Sequence, residues 1–148
     1  MISTMAERPE LCVGAVALHD GNLLLIRRGH GPAAGEWSLP GGRLERGELV
    51  AEAVTRELRE ETGLEAVCGE LIGWVERLGD AVGQPGREGD YHFVILDFQV
   101  TVLDGAEPIA GDDAAEARWV PLAEVTDLRL VDGLAEFLHE HGVLEVIA

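Results

Sequence analysis

The sequence predicts an α/β fold in which a β-sheet is covered on both faces. Two adjacent segments, Leu11 to Leu18 and Asn22 to Arg28, have the composition of strands joined by a tight turn. Their apolar content is too continuous for a sheet with one solvated face. The segment from Glu48 to about Thr62 instead has helical periodicity, with apolar residues every fourth position. A length of 148 residues is close to the commonest domain size, so we expect residues 1–148 to form a single domain.

The other elements up to the helix follow from local composition. A loop rich in Gly, Pro and Ala occupies residues 29–36, and residues 37–39 form a short strand. Pro40, Gly41 and Gly42 are expected to end that strand, because proline and glycine interrupt strand pairing. The helix buries a stripe made of Val50, Val54 and Leu58 with Ala53 beside it, and Gly63 provides its C-terminal stop.

The second half of the chain is predicted to contain three strands and two helices. Strands at Val67 to Arg77 and Tyr91 to Leu103 flank a Gly-rich segment, Leu78 to Asp90, which is expected to be an exposed loop or a lid. A short strand follows at residues 117–120, and Pro121 opens a short helix. The final helix is expected at Val131 to His141, before a glycine.

The predicted long helix carries three carboxylates on one face. Glu57, Glu60 and Glu61 stand at i, i+3 and i+4, within an arc of about 100°. Like charges at this spacing repel each other, and a hard divalent cation held by oxygen ligands offsets that repulsion. A solvated acidic face is the simpler alternative.

The acidic helix belongs to a longer motif that begins at Gly42 and ends at Leu64. The fixed positions of this motif are Gly42, Glu48, Arg56, Glu57, Leu58, Glu60, Glu61, Gly63 and Leu64. They form the complete Nudix box, and the chain therefore resembles the Nudix hydrolase family. The segments Trp37 to Gly42 (WSLPGG) and Glu116 to Pro121 (EARWVP) also resemble the family. The resemblance implies an α/β/α sandwich in which a mixed β-sheet lies between helices, and the order of elements above agrees with it.

The resemblance also implies a reaction and a metal. The family cleaves a nucleoside diphosphate linked to another moiety, by attack of water on a phosphorus of the pyrophosphate, with Mg²⁺ or Mn²⁺. We expect Glu61 to be the firmest metal ligand and Glu57 and Glu60 to share ligation. Catalytic roles are expected for Glu57, Glu60 and Glu116, and the general base is either Glu57 or a carboxylate outside the box.

The resemblance also implies a further acidic ligand or base in the loop that precedes Trp119. In residues 111–119, which read GDDAAEARW, the candidates are Asp112, Asp113 and Glu116. We rank Glu116 first and Asp113 second, with a solvated acidic loop as the alternative. Within the box, Glu48 and Arg56 are expected to tie the loop to the helix, which is a structural role.

Four residues are expected to bind substrate: Arg27, Trp37, Gly41 and Gly42. The two glycines let the backbone turn sharply and approach a ligand. Arg27 resembles a family arginine that contacts a substrate phosphate, and otherwise is the exit charge of an apolar strand. Trp37 either belongs to the core or borders the nucleoside pocket. Tyr91 and Phe93 leave the same two alternatives open, and core is favoured for Phe93.

The charge balance limits the partners that we expect. The chain has 11 Lys and Arg against 28 Asp and Glu, a formal net charge of −17. Such a surface repels a polyphosphate, so we expect no nucleic-acid binding, whereas a small nucleotide remains possible where bound cations reverse the local field. No stretch approaches the roughly 20 apolar residues of a membrane span, and the N-terminus lacks a signal pattern, so a cytoplasmic protein is expected. A homodimer is plausible from the resemblance.

The same motif is compatible with more than one substrate. Hydrolysis of ADP-ribose or a related nucleotide sugar is slightly favoured, because YHFVILDF and the following DDAAEARWVPL resemble small proteins with such substrates. Hydrolysis of a nucleoside triphosphate to the monophosphate and pyrophosphate, a sanitising reaction, is the alternative. A non-catalytic nucleotide sensor is a third possibility, disfavoured because every carboxylate of the box is present.

Overall fold

A computed structural model describes residues 8–31, 33–80, 90–103, 106–111 and 113–145. Its strands are β1 (Glu10–His19), β2 (Asn22–Arg28), β3 (Trp37–Ser38), β4 (Gly41–Arg43), β5 (Ala66–Asp80), β6 (Asp90–Val102) and β7 (Ala114–Pro121). Its helices are α1 (Val50–Thr62) and α2 (Leu134–Glu140), and a 3₁₀-helix spans Leu122–Asp127. No helix among these residues is long and apolar enough to cross a membrane.

The strands form a mixed sheet, as the sequence predicts. The order along the sheet is β3-β2-β1-β6-β5, with β4 paired to β1 and β7 paired to β2. Strands β1 and β6 run parallel, whereas β1 pairs antiparallel with β2 and β4. Strand β1 therefore lies at the centre of the sheet. Its first part pairs with β4, its last two residues pair with β2, and most of its length pairs with β6.

The helices lie on opposite faces of this sheet and give an α/β/α sandwich. On one face α1 contributes Val54 and Leu58 to a core cluster with Val13 and Val100. On the other face Phe137 and Leu138 of α2 join a second buried cluster, whose sheet residues include Val16 and Leu25. Because side chains alternate along a strand, β1 supplies both cores from adjacent positions.

The helix α1 has defined ends. It begins two residues later than the sequence predicts, and the Glu52 side chain accepts a hydrogen bond of 2.8 Å from the Leu49 N–H, which ties the first turn. It ends at Gly63, which has φ of 74° and donates its N–H to the Arg59 carbonyl at 2.8 Å. Only glycine adopts this left-handed conformation without strain, so the predicted stop is confirmed.

Two predictions about local structure were incomplete. The strand at Trp37–Ser38 does end before Pro40, but Gly41 and Gly42 then begin a new strand, β4, where they lie opposite Gly14 and Val13 of β1. Neither has a positive φ, so they make no left-handed turn. The segment Leu78 to Asp90 is not a loop throughout, because residues 78–80 still belong to β5 and pair with β6. The remainder of that segment, residues 81–89, lies outside the described residues.

Candidate active site

The deepest acidic side chain of the box is that of Glu61, in the last turn of α1. It is only 8% exposed, and its Oε1 accepts a hydrogen bond of 2.7 Å from the Gly41 N–H of β4. Burial raises the pKa of Glu61 to about 8, and the negative charges of Glu57 and Asp113 add to this shift. The Gly41 hydrogen bond and the positive charge of Arg28 oppose it. An ionised Glu61 therefore needs more positive charge than the described residues provide.

Glu57 lies one helical turn before Glu61 and packs directly on the backbone of β4. A Cβ placed on Gly42 would lie 2.5 Å from the Glu57 Oε1 and Cδ atoms. The glycine is thus required because a carboxylate occupies the space that a side chain would need. Burial raises the pKa of Glu57, although the hydrogen bond from Arg56 acts in the opposite direction.

Arg56 organises the carboxylates around it. Its Nε and Nη2 donate to the two oxygens of Glu48 at 2.6 and 3.0 Å, and Nη2 also donates to the Arg43 carbonyl at 3.0 Å. Its Nη1 lies 2.9 Å from Glu57 Oε1 and 3.1 Å from Glu60 Oε2. The Arg56 hydrogen bonds lower the pKa of Glu48, and those of Glu48 raise the pKa of Arg56. The contacts of Arg56 with Glu48 and with the carbonyl of Arg43, the last residue of β4, join the loop to the helix.

The three helix carboxylates are a suitable donor set for a hard divalent cation, but they are not gathered around one point. Among the described residues, no group of three or more His, Cys, Asp or Glu is placed so as to hold a metal ion. The reason is that Glu57 and Glu60 both turn toward Arg56 Nη1. Glu61, in contrast, makes no ion pair with any described residue, and its buried carboxylate suits Mg²⁺ or Mn²⁺. The residues fit such a cation if Glu57 and Glu60 turn away from Arg56.

The acidic loop before β7 is held close to these carboxylates by backbone hydrogen bonds. The Gly111 N–H donates to the Glu61 carbonyl at 3.2 Å, and the Asp113 carbonyl accepts from the Gly29 N–H at 2.9 Å. A Cβ on Gly111 would lie 2.5 Å from the Glu60 carbonyl oxygen, so the loop and helix are in close contact. Asp113 lies on the wall of the cleft, where its Oδ1 is 3.3 Å from His30 Nε2. Asp112 lies outside the described residues.

Three residues predicted from the sequence lie elsewhere. Arg27 and Glu116 face each other across β2 and β7, with Nε and Oε1 3.5 Å apart, and neither belongs to the cleft lining. Trp37 is 7% exposed and belongs to the core cluster under α2. The guanidinium of Arg118 lies over the Trp37 ring, with 4.9 Å between its Cζ atom and the ring centroid. Their roles in binding and catalysis remain predictions. Arg28 does line the cleft.

The cleft has a volume of about 1030 Å³ and extends from the helix carboxylates to Tyr91, near the first residue of β6. Residues 91, 93, 95 and 97 of β6 all line it, because alternate residues of a strand share one face. Tyr91 and Phe93 stack with ring centroids 5.2 Å apart. Phe93, for which a core position is favoured by the sequence, is thus a cleft residue.

One cleft residue, Asp97, has no counterpart in the sequence interpretation. It is 4% exposed and lies in the middle of β6. Burial raises the pKa of Asp97 to about 7, with the positive charge of Arg77 opposing the shift. The signal available in the sequence is an acidic residue within the apolar run YHFVILDFQV, where a strand buried on both faces has no place for an unpaired charge.

Comparison with known proteins agrees with this arrangement. The sequence model of the NUDIX domain family matches residues 8–141 of this chain. An ADP-ribose pyrophosphatase of Methanocaldococcus jannaschii is 38% identical over 120 residues, which cover 81% of this chain and 66% of the relative. A CTP pyrophosphohydrolase of Escherichia coli is 43% identical over 61 residues, which cover 40% of this chain and 45% of the relative. The chain thus spans less than two thirds of both relatives.

The fold also has solved counterparts. The crystal structure of a MutT protein from Methanosarcina mazei superposes with a TM-score of 0.74 at 27% identity, over 93% of this chain and 96% of the other. The family match covers the sheet, the helix α1 with its complete motif, and the cleft. The protein belongs to the NUDIX domain family.

Proposed function

We propose that this protein hydrolyses the pyrophosphate linkage of a nucleoside diphosphate derivative, in a reaction that depends on Mg²⁺ or Mn²⁺. The observation that carries the proposal is the Glu61 carboxylate, which is buried beside Glu57 and held by a single backbone N–H at 2.7 Å. Glu61 stands at one end of a cleft of about 1030 Å³, at the upper end of the usual range for small-molecule sites.

The residues that would hold the cation are Glu57, Glu60 and Glu61. When bound, a divalent cation supplies the positive charge that offsets the negative charge developing on the phosphate oxygens. Glu61 would be the fixed ligand, because its position depends on the Gly41 N–H and not on a mobile ion pair. Glu57 and Glu60 would exchange their contacts with Arg56 Nη1 for contacts with the cation.

A general base must also take up the proton of the attacking water. Glu57 is one candidate, and its half-buried carboxylate has a pKa above the ordinary value, which suits proton uptake. For the carboxylate outside the box, the placement of Asp113 on the cleft wall supports this residue over Glu116, which pairs with Arg27 and Arg118.

ADP-ribose or a related nucleotide sugar is the substrate that we favour. The relative named ADP-ribose pyrophosphatase is 38% identical over 81% of this chain, and a relative from Mycobacterium tuberculosis named putative 8-oxo-dGTP diphosphatase is 34% identical over 80% of it, so identity favours the first slightly and coverage does not separate them. The cleft is also long enough for a substrate with groups on both sides of the pyrophosphate, because it continues from Glu61 along four alternate residues of β6. The CTP pyrophosphohydrolase relative supports the second candidate, hydrolysis of a nucleoside triphosphate.

Product analysis with purified protein tests these alternatives. The protein is incubated with Mg²⁺ and ADP-ribose, NADH, dinucleoside polyphosphates or the common and oxidised nucleoside triphosphates. We expect AMP from ADP-ribose and little action on triphosphates. Release of pyrophosphate from a triphosphate would establish the second candidate instead. Binding without any turnover would contradict both and identify a sensor.

The cation site has a test of its own that does not depend on turnover. Titration of the protein with Mg²⁺ or Mn²⁺ should raise its melting temperature, because a ligand that binds the folded state stabilises it. Glu61→Gln should reduce this rise strongly, whereas Glu70→Gln, at an exposed site on β5, should leave it unchanged. An equal rise in Glu61→Gln would remove Glu61 from the site.

A further inference from the structure

The buried carboxylate of Asp97 is not accounted for by the hydrolytic site. Among the described residues it makes no hydrogen bond and no ion pair, although it is only 4% exposed. It nevertheless lines the cleft, so a bound molecule can reach its oxygens. Its oxygens can therefore accept hydrogen bonds from donors that a bound molecule supplies, and such bonds to a charged group are strong.

The position of this carboxylate follows from the register of the sheet. Asp97 lies opposite Gly73 of β5 and Gly14 of β1, and Gly14 in turn lies opposite Gly41 of β4. In this row of four residues Asp97 has the only side chain. The carboxylate extends over Gly14, because a Cβ there would lie 2.1 Å from Asp97 Oδ1. At Gly14 and Gly41 the cleft floor is therefore backbone with one acidic group above it, whereas Gly73 lies under Phe137 and His141.

The same register gives the distances along the cleft. Neighbouring strands are about 4.8 Å apart, so the carboxylate above Gly14 is about one strand spacing from Gly41, whose N–H binds Glu61. Phe93 and Tyr91 lie on the same face of β6, four and six residues away, or roughly 13 and 20 Å at 3.3 Å per residue. From the helix carboxylates outward, the cleft thus presents an acidic group first and aromatic rings beyond it.

In a nucleotide the ribose is the group next to the phosphates, so phosphates beside Glu61 would bring the ribose hydroxyls close to Asp97. We propose that Asp97 binds the ribose hydroxyls of the nucleotide and makes the protein select ribonucleotides over 2′-deoxyribonucleotides. An ionised carboxylate only accepts hydrogen bonds, and two adjacent hydroxyls are donors that fit its two oxygens. The inference rests on the proposed function, because it takes the phosphates to lie beside Glu61.

The alternative is a purely structural role for Asp97 in the field of Arg77, the cation that opposes its pKa shift. Arg77 also donates to the Asp132 carbonyl through Nη2. A structural role predicts that loss of the carboxylate changes stability and leaves the preference between ribose and deoxyribose unaltered. Selection between the two sugars is therefore the decisive readout.

The experiment measures binding of AMP, 2′-deoxy-AMP and 3′-deoxy-AMP by calorimetry in the presence of Mg²⁺. The unmodified protein should bind AMP about tenfold or more tightly than either deoxy compound, because a hydrogen bond to a charged group is lost. Asp97→Ala should bring all three affinities to within about twofold of each other. Asp97→Asn keeps one acceptor and nearly the same volume, so it should retain part of the selection.

Gln99→Ala is the matched control, since Gln99 is exposed on the same strand face and does not line the cleft. It should keep the full selection. Equal affinity for AMP and 2′-deoxy-AMP in the unmodified protein, no binding of AMP, or unchanged selection in both Asp97 variants would overturn the inference. Sugar selection without hydrolysis of any substrate would contradict the proposed function alone, and hydrolysis without sugar selection would contradict this inference alone.

Discussion

Gly42→Ala should remove activity without unfolding the protein, because the added methyl group displaces one carboxylate. The new Cβ would lie 2.5 Å from Glu57 Oε1 and 2.6 Å from Oε2, and these atoms end a side chain that can rotate. Rotation breaks the Arg56 Nη1 to Glu57 hydrogen bond of 2.9 Å, whose loss costs about 1.5–3 kcal/mol. Ala in place of Gly restores about 0.5–1 kcal/mol through the unfolded chain, since φ at Gly42 is not positive.

The expected net loss is about 0.5–2.5 kcal/mol in the free energy of unfolding, measured by urea denaturation. The turnover number should fall by about 100-fold or more, because Glu57 leaves its place among the catalytic carboxylates. A double-mutant cycle with Glu57→Ala provides the control: in that background Gly42→Ala meets no carboxylate and should raise the free energy of unfolding by about 0.5–1 kcal/mol. The same cost in both backgrounds would refute the steric argument.

Four further predictions test other parts of the molecule. Glu61→Gln should abolish turnover and leave the free energy of unfolding equal or higher without metal, because the amide avoids the cost of ionising a buried carboxylate; full activity would exclude Glu61 from the site. Asp113→Asn should lower kcat more than Glu116→Gln does, and the reverse ranking would restore Glu116 as the base. Leu58→Ala should lower the free energy of unfolding by about 2–5 kcal/mol, since the side chain is fully buried in the core under α1. Burial raises the pKa of Asp97 to about 7 in the folded state, against about 4 in the unfolded chain, so ionisation of Asp97 favours unfolding. The free energy of unfolding, measured relative to Asp97→Asn, should therefore fall as the pH rises from about 4 to about 7 and then stay level.

The sequence predicts α1 and its carboxylates well because both depend on local spacing. Val54 and Leu58 are buried, and Glu57 and Glu61 lie next to them on the side of the helix toward β4, as a 3.6-residue period requires. The family motif adds the fold. These features involve residues within a few turns of one helix, so no long-range pairing is needed to find them.

The strand residues of the site could not be assigned in the same way. Alternate residues of a strand face opposite sides, and in strands that are apolar on both faces the sequence does not say which side faces the cleft. The prediction therefore takes Arg27 and Trp37, whereas Arg28 and Ser38 line the cleft. A register shift in the pairing of β2 with β7 falls between Arg27 and Arg28, and such irregularities depend on the partner strand.

The pairing of β4 with β1 also depends on distant residues, and so does the importance of Asp97. The sequence shows Gly41 next to Pro40, which favours a strand end, and only the register with Gly14 reveals a strand. Asp97 becomes a candidate once three glycines are found beside it in the same row. These residues are far apart in the sequence, so no periodic pattern of residue types shows that they lie side by side.

The direction of α1 affects how the site attracts cations. The helix runs from Val50 to Thr62, so Glu57, Glu60 and Glu61 all lie toward its C-terminal end. The aligned peptide dipoles place a partial negative charge of about half an electron at that end, which repels carboxylates and attracts cations. The backbone therefore adds to the affinity for a divalent ion, and it does so whatever side chains are present. Variants that lack one carboxylate should accordingly bind the ion more weakly but still measurably, while the folded protein without metal carries an electrostatic strain that the ion relieves.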